Sequence, residues 1–317
     1  MKLIVQLPCH NEEATLARAV GAIPRSIAGV SEVEILVVDD GSTDRTAEVA
    51  RSLGVDHLVR LPRNLGLARA FQAGLEASVR AGADLVVNTD ADDQYRGEDI
   101  PKLIAPILAG EAELVVGARP ISEIEHFSPA KKLLQRLGSR LVRWASGTSV
   151  PDATSGFRAM SRRAAMRMQI FSEYTYTLET VIQAGRKGMA VASVPIGVNP
   201  PTRPSRLIRS TGDYLRRSAL TILRIFVTYR PFHFFAVPGT VVFLVGLAIG
   251  VRFLYFFAVG QGAGHVQSLL LGVLLLGTGF FLIVTGLVAD LISVNRKLLE
   301  ELDFRVQELQ DRARPRR

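Results

Sequence analysis

Asp90-Ala91-Asp92-Asp93-Gln94 follows the apolar run Leu85-Val86-Val87-Asn88-Thr89, which places clustered carboxylates at the end of an expected strand. Hard cations such as Mg2+ and Mn2+ take oxygen ligands, and Asp90 and Asp92, two apart, share a face if strand geometry continues. Such a cluster is where a divalent cation and a diphosphate can meet, and the chemistry it implies is transfer of a group from a nucleotide diphosphate. Taken alone, a D-x-D is commonly a solvated acidic turn, because short motifs match by accident. The surrounding sequence decides between these readings.

Short apolar runs at 3–7, 34–38, 57–61, 84–88 and 114–116 read as strands, and the segments 12–22, 43–53 and 66–80 between them carry helical periodicity. Strands alternating with helices of this length predict an α/β fold with a mostly parallel, doubly covered sheet. Ligands of such sheets collect at the carboxyl ends of the strands. Four loops with polar or conformationally special residues fall there: residues 8–12, Asp39-Asp40-Gly41-Ser42, Arg63-Asn64 and the aspartate cluster.

Composition divides the 317 residues. Up to about Leu207 apolar strands alternate with charged helices, whereas 234–251 and 269–289 are uncharged runs close to the roughly 20 apolar residues that a bilayer span requires. Two transmembrane helices are expected, with Pro231 ending whatever helix precedes them. The segment 206–230 mixes six arginines and one aspartate with apolar positions at roughly helical spacing, the pattern of an amphipathic helix at a membrane interface or of a cationic linker. The short loop 260–265 lacks Lys and Arg, while Arg296, Lys297, Arg305, Arg312, Arg314, Arg316 and Arg317 follow the second run. The positive-inside rule puts the N-terminal domain and the tail in the cytoplasm of a multi-pass cell-membrane protein, with Arg252 snorkelling at the outer end of the first span. The N-terminal apolar run is too short for a secretory signal, and the lone Cys9 allows no intrachain disulfide; it reads as a small buried residue. A net charge of +8 with no nucleic-acid motif points to anionic phospholipid and away from DNA or RNA.

Six segments in order, Pro8-Cys9-His10-Asn11-Glu12, residues 38–44, Arg63-Asn64-Leu65-Gly66, residues 90–94, Gly117-Ala118-Arg119 and residues 152–158, resemble the inverting family 2 glycosyltransferases of the GT-A fold. The similar branch is the one with dolichol-phosphate mannose synthase and bacterial polyprenyl-phosphate glycosyltransferases with two C-terminal spans. The resemblance implies a GT-A domain over 1–205, an interfacial segment at 206–230, a two-helix membrane domain at 231–292 and a cytoplasmic basic tail at 293–317. It implies nucleotide binding by Pro8, His10, Glu12, Asp39, Asp40, Gly66, Asp90 and Ala91. His10 stands where relatives often carry an aromatic, and Asp39 equally suits a turn or helix cap. Mg2+ or Mn2+ would be held by Asp90, Asp92 and Gln94, which makes Asp90, Asp92 and Arg119 the catalytic group. The acceptor phosphate would meet Arg119, then Arg136 and Ser139 on an expected helix at 130–145, with Lys132 or Arg140 able to replace Arg136. Arg203 and Ser205 resemble an interfacial loop over the diphosphate, although Arg203 equally suits phospholipid attraction. The implied reaction moves one sugar, with inversion, from a UDP- or GDP-linked donor to a polyprenyl phosphate. A processive polysaccharide synthase and a catalytically silent membrane scaffold of the same fold are the alternatives, and homo-oligomerisation is left open. Against the synthase, Gln183-Ala184-Gly185-Arg186 is followed by Lys187 where a Q-x-x-R-W motif needs Trp.

Overall fold

The computed structural model describes residues 1–120, 140, 142–144, 146–170, 176–200, 223, 227 and 230–313. The chain divides into two compact units, Met1–Ser218 with Gln307–Arg317, and Ala219–Val306. In the first unit β1 (Lys2–Cys9), β2 (Glu32–Asp39), β3 (His57–Arg60), β4 (Leu85–Asn88), β5 (Leu114–Ala118), β6 (Arg158–Ser161) and β7 (Val191–Pro195) form one sheet. The strand order is β3-β2-β1-β4-β6-β5-β7. All strands run parallel except β6, which is antiparallel to β4 and to β5. The expected mostly parallel sheet is therefore present. The carboxyl ends of six strands and the entry into β6 share one edge.

The central strands are buried on both faces, as their continuous apolar sequence requires. One core gathers alternate residues of β1 and β2, such as Leu3, Val5, Ile35 and Val37, with α1 (Leu16–Gly21) and α4 (Ile100–Leu108). The opposite face is covered by α3 (Leu67–Arg80), which buries Phe71 and Leu75.

Two expected helices start late, for local reasons. The helix expected from residue 12 begins at Leu16, because Asn11 takes φ 57 and Glu12 donates its N–H to Thr46 Oγ1 at 2.8 Å instead of entering a helical turn. The helix expected from residue 43 is α2 (Thr46–Ser52), because the Asp44 carboxylate accepts from Thr46 N at 2.9 Å and closes the preceding turn. Two short helices, α5 (Arg162–Arg167) and α6 (Thr177–Arg186), flank the last strands.

The second unit contains two stretches long and apolar enough to cross a membrane, α7 (Pro231–Ala258) and the part Val266–Val306 of α8 (Val266–Ala313), whose apolar windows have mean hydropathies of 2.3 and 2.4. Pro231 sits in the first turn of α7, where its missing N–H costs nothing. The two helices approach backbone to backbone: a Cβ placed on Gly279 would lie 2.5 Å from Phe243 N, and one on Gly246 2.7 Å from Leu276 N. The Arg252 guanidinium lies 5.5 Å from the centre of the Phe256 ring. The segment 206–230, apart from residues 223, 227 and 230, lies outside the described residues. The Gly279→Leu variant is expected to lose about 1–3 kcal/mol, the usual cost of overpacking, read as a lower unfolding midpoint in detergent. Gly277→Leu, with open space at its Cβ, is expected to unfold like the parent chain.

Candidate active site

The loops after β1, β2 and β3 build one half of the site. His10 Nδ1 stands 2.8 Å from the Asp40 carbonyl, so Nδ1–H donates and Nε2 is left to accept from Asn64 Nδ2 at 3.0 Å. The Asp40 carboxylate accepts from Leu65 N at 2.7 Å and Gly66 N at 2.9 Å, which fixes the loop after β3 across the end of β2. Gly41 makes this crossing feasible: it has φ +61, and a Cβ there would fall 2.3 Å from the Arg63 carbonyl carbon. The result is a cleft of about 630 Å³ with His10, Ser42, Thr43, Arg60, Arg63 and Asn64 on its walls. Of the residues expected to bind nucleotide, His10 lines this cleft, and Asp40 and Gly66 are bonded to each other beside it. Asp39 turns inward, fully buried, with Oδ1 accepting from Ser42 N at 2.8 Å and Oδ2 facing Arg60 Nε at 3.2 Å. Pro8 is buried within β1, and Ala91 is buried at the end of the β4 loop. Glu12 accepts from Thr15 Oγ1 at 2.9 Å. Cys9, 2 % exposed, donates its thiol to the Leu7 carbonyl, and burial with nearby Glu12 and Asp39 pushes its pKa well up.

The other half centres on Asp90. Burial first, and the Asp92 charge second, push the Asp90 carboxyl up to about 7, with Arg119 and Arg158 opposing. Asp92 Oδ1 accepts from Gln94 N at 3.2 Å, so Asp92 and Gln94 belong to one folded turn. Among the described residues no group of three or more His, Cys, Asp or Glu side chains surrounds a point that could hold a metal. The donor set suits a hard cation that takes one or two carboxylates and completes its shell with water and diphosphate oxygens, and the strained ionisation of Asp90 beside Asp92 is the charge that such a cation offsets. Gly156 backs the carboxylate: a Cβ there would lie 3.0 Å from both Asp90 oxygens and 2.9 Å from Tyr176 Oη.

Arg119, at the end of β5, is clamped by Asp152: Nε to Oδ2 at 2.7 Å and Nη2 to Oδ1 at 3.1 Å, with Nη2 also donating to Thr154 Oγ1 at 2.8 Å. Burial works against this charge, but Tyr95, Asp152 and Asp90 outweigh it and raise the Arg119 pKa. Burial likewise works against Asp152 ionising, and Arg119 beside it holds the carboxyl below the ordinary range. Arg119 is therefore a fixed cation within the field of Asp90. Arg136, Ser139, Lys132, Arg203 and Ser205 lie outside the described residues, and Arg140 is exposed.

Several residues to which the sequence reading gave no role hold this half together. Arg158, with no exposed surface, donates Nε to the Ser155 carbonyl at 2.9 Å, Nη1 to the Thr177 carbonyl at 2.7 Å and to Thr180 Oγ1, and Nη2 to the Ala153 carbonyl at 2.9 Å. Asn88 donates Nδ2 to the Gly156 carbonyl and to Tyr176 Oη, each at 2.9 Å, and accepts from Gln6 Nε2 at the same distance. Tyr95 Oη accepts from Gly156 N at 2.8 Å, and Tyr176 stacks on Phe71 with centroids 3.9 Å apart. The segment 152–158 signals some of this in sequence; Asn88 and Tyr176 carry no local signal.

Residues 4–168 match the description glycosyl transferase family 2. The chain belongs to that family. It is 28% identical over 206 residues, 62% of this chain and 76% of the relative, to polyprenol monophosphomannose synthase of Mycolicibacterium smegmatis. Dodecaprenyl-phosphate galacturonate synthase of Rhizobium johnstonii is 27% identical over 308 residues, 92% of this chain and 88% of the relative. Among solved structures, glucosyl-3-phosphoglycerate synthase from Mycobacterium tuberculosis in complex with Mn2+, uridine diphosphate and glucosyl-3-phosphoglycerate has the same fold, with TM-score 0.55, 24% identity, and coverage of 72% of this chain and 79% of that one.

The Asp90 shift gives a prediction with a definite sign. Its carboxyl titrates higher in the folded chain than in the unfolded one, so between the ordinary carboxylate range and about 7 the folded state binds more proton. Stability without metal is therefore expected to fall as pH rises through that window. Thermal unfolding in EDTA across it should show this decline, and Asp90→Asn should flatten it.

Proposed function

We propose that the chain transfers a single sugar, with inversion, from a UDP- or GDP-linked donor to a polyprenyl phosphate at the cytoplasmic face of the cell membrane. The observation that carries this reading is the half-buried Asp90–Asp92 pair with the Asp152-clamped Arg119 in its field. It supplies, side by side, an anionic seat for a cation on the leaving diphosphate and a fixed cation for an incoming phosphate. Family membership, two helices of membrane length and a relative named for a prenyl-phosphate product over 92% of the chain support the same substrate class.

The nucleotide would enter the cleft beside His10 and Asp40, with Pro8, Glu12, Asp39, Gly66 and Ala91 shaping the surrounding loops. Asp90 and Asp92, with Gln94, would hold Mg2+ or Mn2+, which when bound offsets charge developing on the nucleoside diphosphate. The acceptor phosphate monoester, with a second pKa of about 6, is largely dianionic near neutral pH and needs no strong base. One of its oxygens attacks the anomeric carbon as the bond to the donor diphosphate breaks on the opposite side, which inverts that centre. Arg119 offsets repulsion between the two phosphates and orients the nucleophile. Arg136, Ser139 and Arg203 are proposed to complete the acceptor contacts. The loop between α7 and α8 would lie outside the cell and the basic segments inside, in contact with anionic phospholipid.

The test is incubation of purified protein with undecaprenyl phosphate, Mn2+ and a panel of UDP- and GDP-sugars, with mass spectrometry of the lipid fraction. A monoglycosylated lipid is expected; a polymer, or no product with any donor, overturns the reading. Asp92→Asn should retain the fold and lose most turnover, as should excess EDTA, because a neutral amide is a poorer ligand for a hard cation. Arg119→Ala should raise the acceptor KM more than it weakens nucleotide binding measured by calorimetry. Loss of nucleotide affinity at unchanged acceptor KM would move Arg119 to the donor side.

A further inference from the structure

The chain leaving β7 runs back along the metal loop. Ile196 N donates to the Ala118 carbonyl at 3.0 Å, and Gly197 N to Asp99 Oδ2 at 2.7 Å. Val198 then forms an antiparallel bridge with Tyr95. Asn199 contributes twice: its N–H donates to the Gln94 carbonyl at 2.9 Å and its Nδ2 to the Asp93 carbonyl at 2.9 Å. The recipient of that side-chain bond is unusual. Asp93 has φ 62, in the left-handed region that residues other than glycine occupy at a cost, and the Asn199 bond to its carbonyl supports that conformation. The turn that it makes brings Gln94 N to Asp92 Oδ1 at 3.2 Å. The orientation of Asp92 thus depends on a peptide turn whose carbonyls are fixed by a residue 106 positions later in sequence.

We infer that Asn199 is a positioning residue for the Asp92–Gln94 loop: its side-chain amide holds the left-handed turn at Asp93 and so sets the ligand geometry presented to a metal-bound diphosphate. This rests on the assignment of that loop to the metal and diphosphate. Asp93 itself stands outside the ligand set, and it is the point at which the latch can be made unnecessary. Glycine adopts positive φ freely, so Asp93→Gly should let the turn keep its shape without the Asn199 amide.

The test is calorimetric binding of UDP and of GDP to the purified full-length chain, with Mn2+ and separately with EDTA. Outer hydrogen-bond partners of metal ligands typically change affinity by about 10–100-fold. Asn199→Ala is expected to weaken Mn2+-dependent nucleotide binding by about tenfold and to leave binding in EDTA unchanged. Asn199→Asp, of the same size but with an acceptor facing the Asp93 carbonyl, should act in the same direction and guards against a loss due to packing. Adding Asp93→Gly to Asn199→Ala should recover most of the loss. Equal weakening with Mn2+ and with EDTA, no weakening, or no recovery on adding Asp93→Gly overturns the role of Asn199 alone. Absence of Mn2+-dependent binding by the unmodified chain overturns the assignment of the loop and this inference together.

Discussion

The half of the site that holds Asp90 and Arg119 depends on one buried cation. Arg158 occupies the first position of β6, the only antiparallel strand among the described residues, where its guanidinium has no access to water and must be satisfied inside the protein. It bonds to the carbonyls of Ala153 and Ser155 in the irregular loop before β6 and to the Thr177 carbonyl at the start of α6. The loop before β6 and the start of α6 are therefore folded around it. That loop carries Asp152, which clamps Arg119, and Gly156, which backs Asp90. A lysine has neither the fork nor the number of donors to replace it.

Around Asp90 the charges form a balanced set. Asp92 and Glu12 raise the cost of ionising it; Arg119 and Arg158 lower that cost. Neither arginine forms its main hydrogen bonds with Asp90, because Arg119 is engaged by Asp152 and Arg158 by backbone. The Asp90 carboxyl is thus tempered by positive potential. This separation of field from contact lets a site be strongly anionic and still fold.

Much of this was legible in sequence where physics is local. The strands β1 to β5 announce themselves by apolar runs, and the D-x-D cluster by its place after one of them. β6 was not legible, since Arg-Ala-Met-Ser has an arginine where a buried strand is expected to be apolar, and its burial is explained only by carbonyls that the fold brings to it. Asn88 and Tyr176 are 88 residues apart in sequence, and the residues between them say nothing of their contact. The late start at Leu16 has the same origin, since Glu12 N–H is taken by Thr46 Oγ1 at the start of α2, whereas the late start at Thr46 follows from the turn that Asp44 closes just before it.

The state of Cys9 has a practical consequence. The chain's single thiol is 2 % exposed, hydrogen-bonded and held in its protonated form by burial within β1. Alkylating reagents react with accessible thiolate, so the folded protein is chemically blank to them. A cysteine introduced at any exposed position becomes a unique attachment point for a spectroscopic label without prior removal of the native one. Conversely, the rate at which Cys9 itself becomes alkylated measures how often the end of β1, an inner strand of the sheet, opens to solvent.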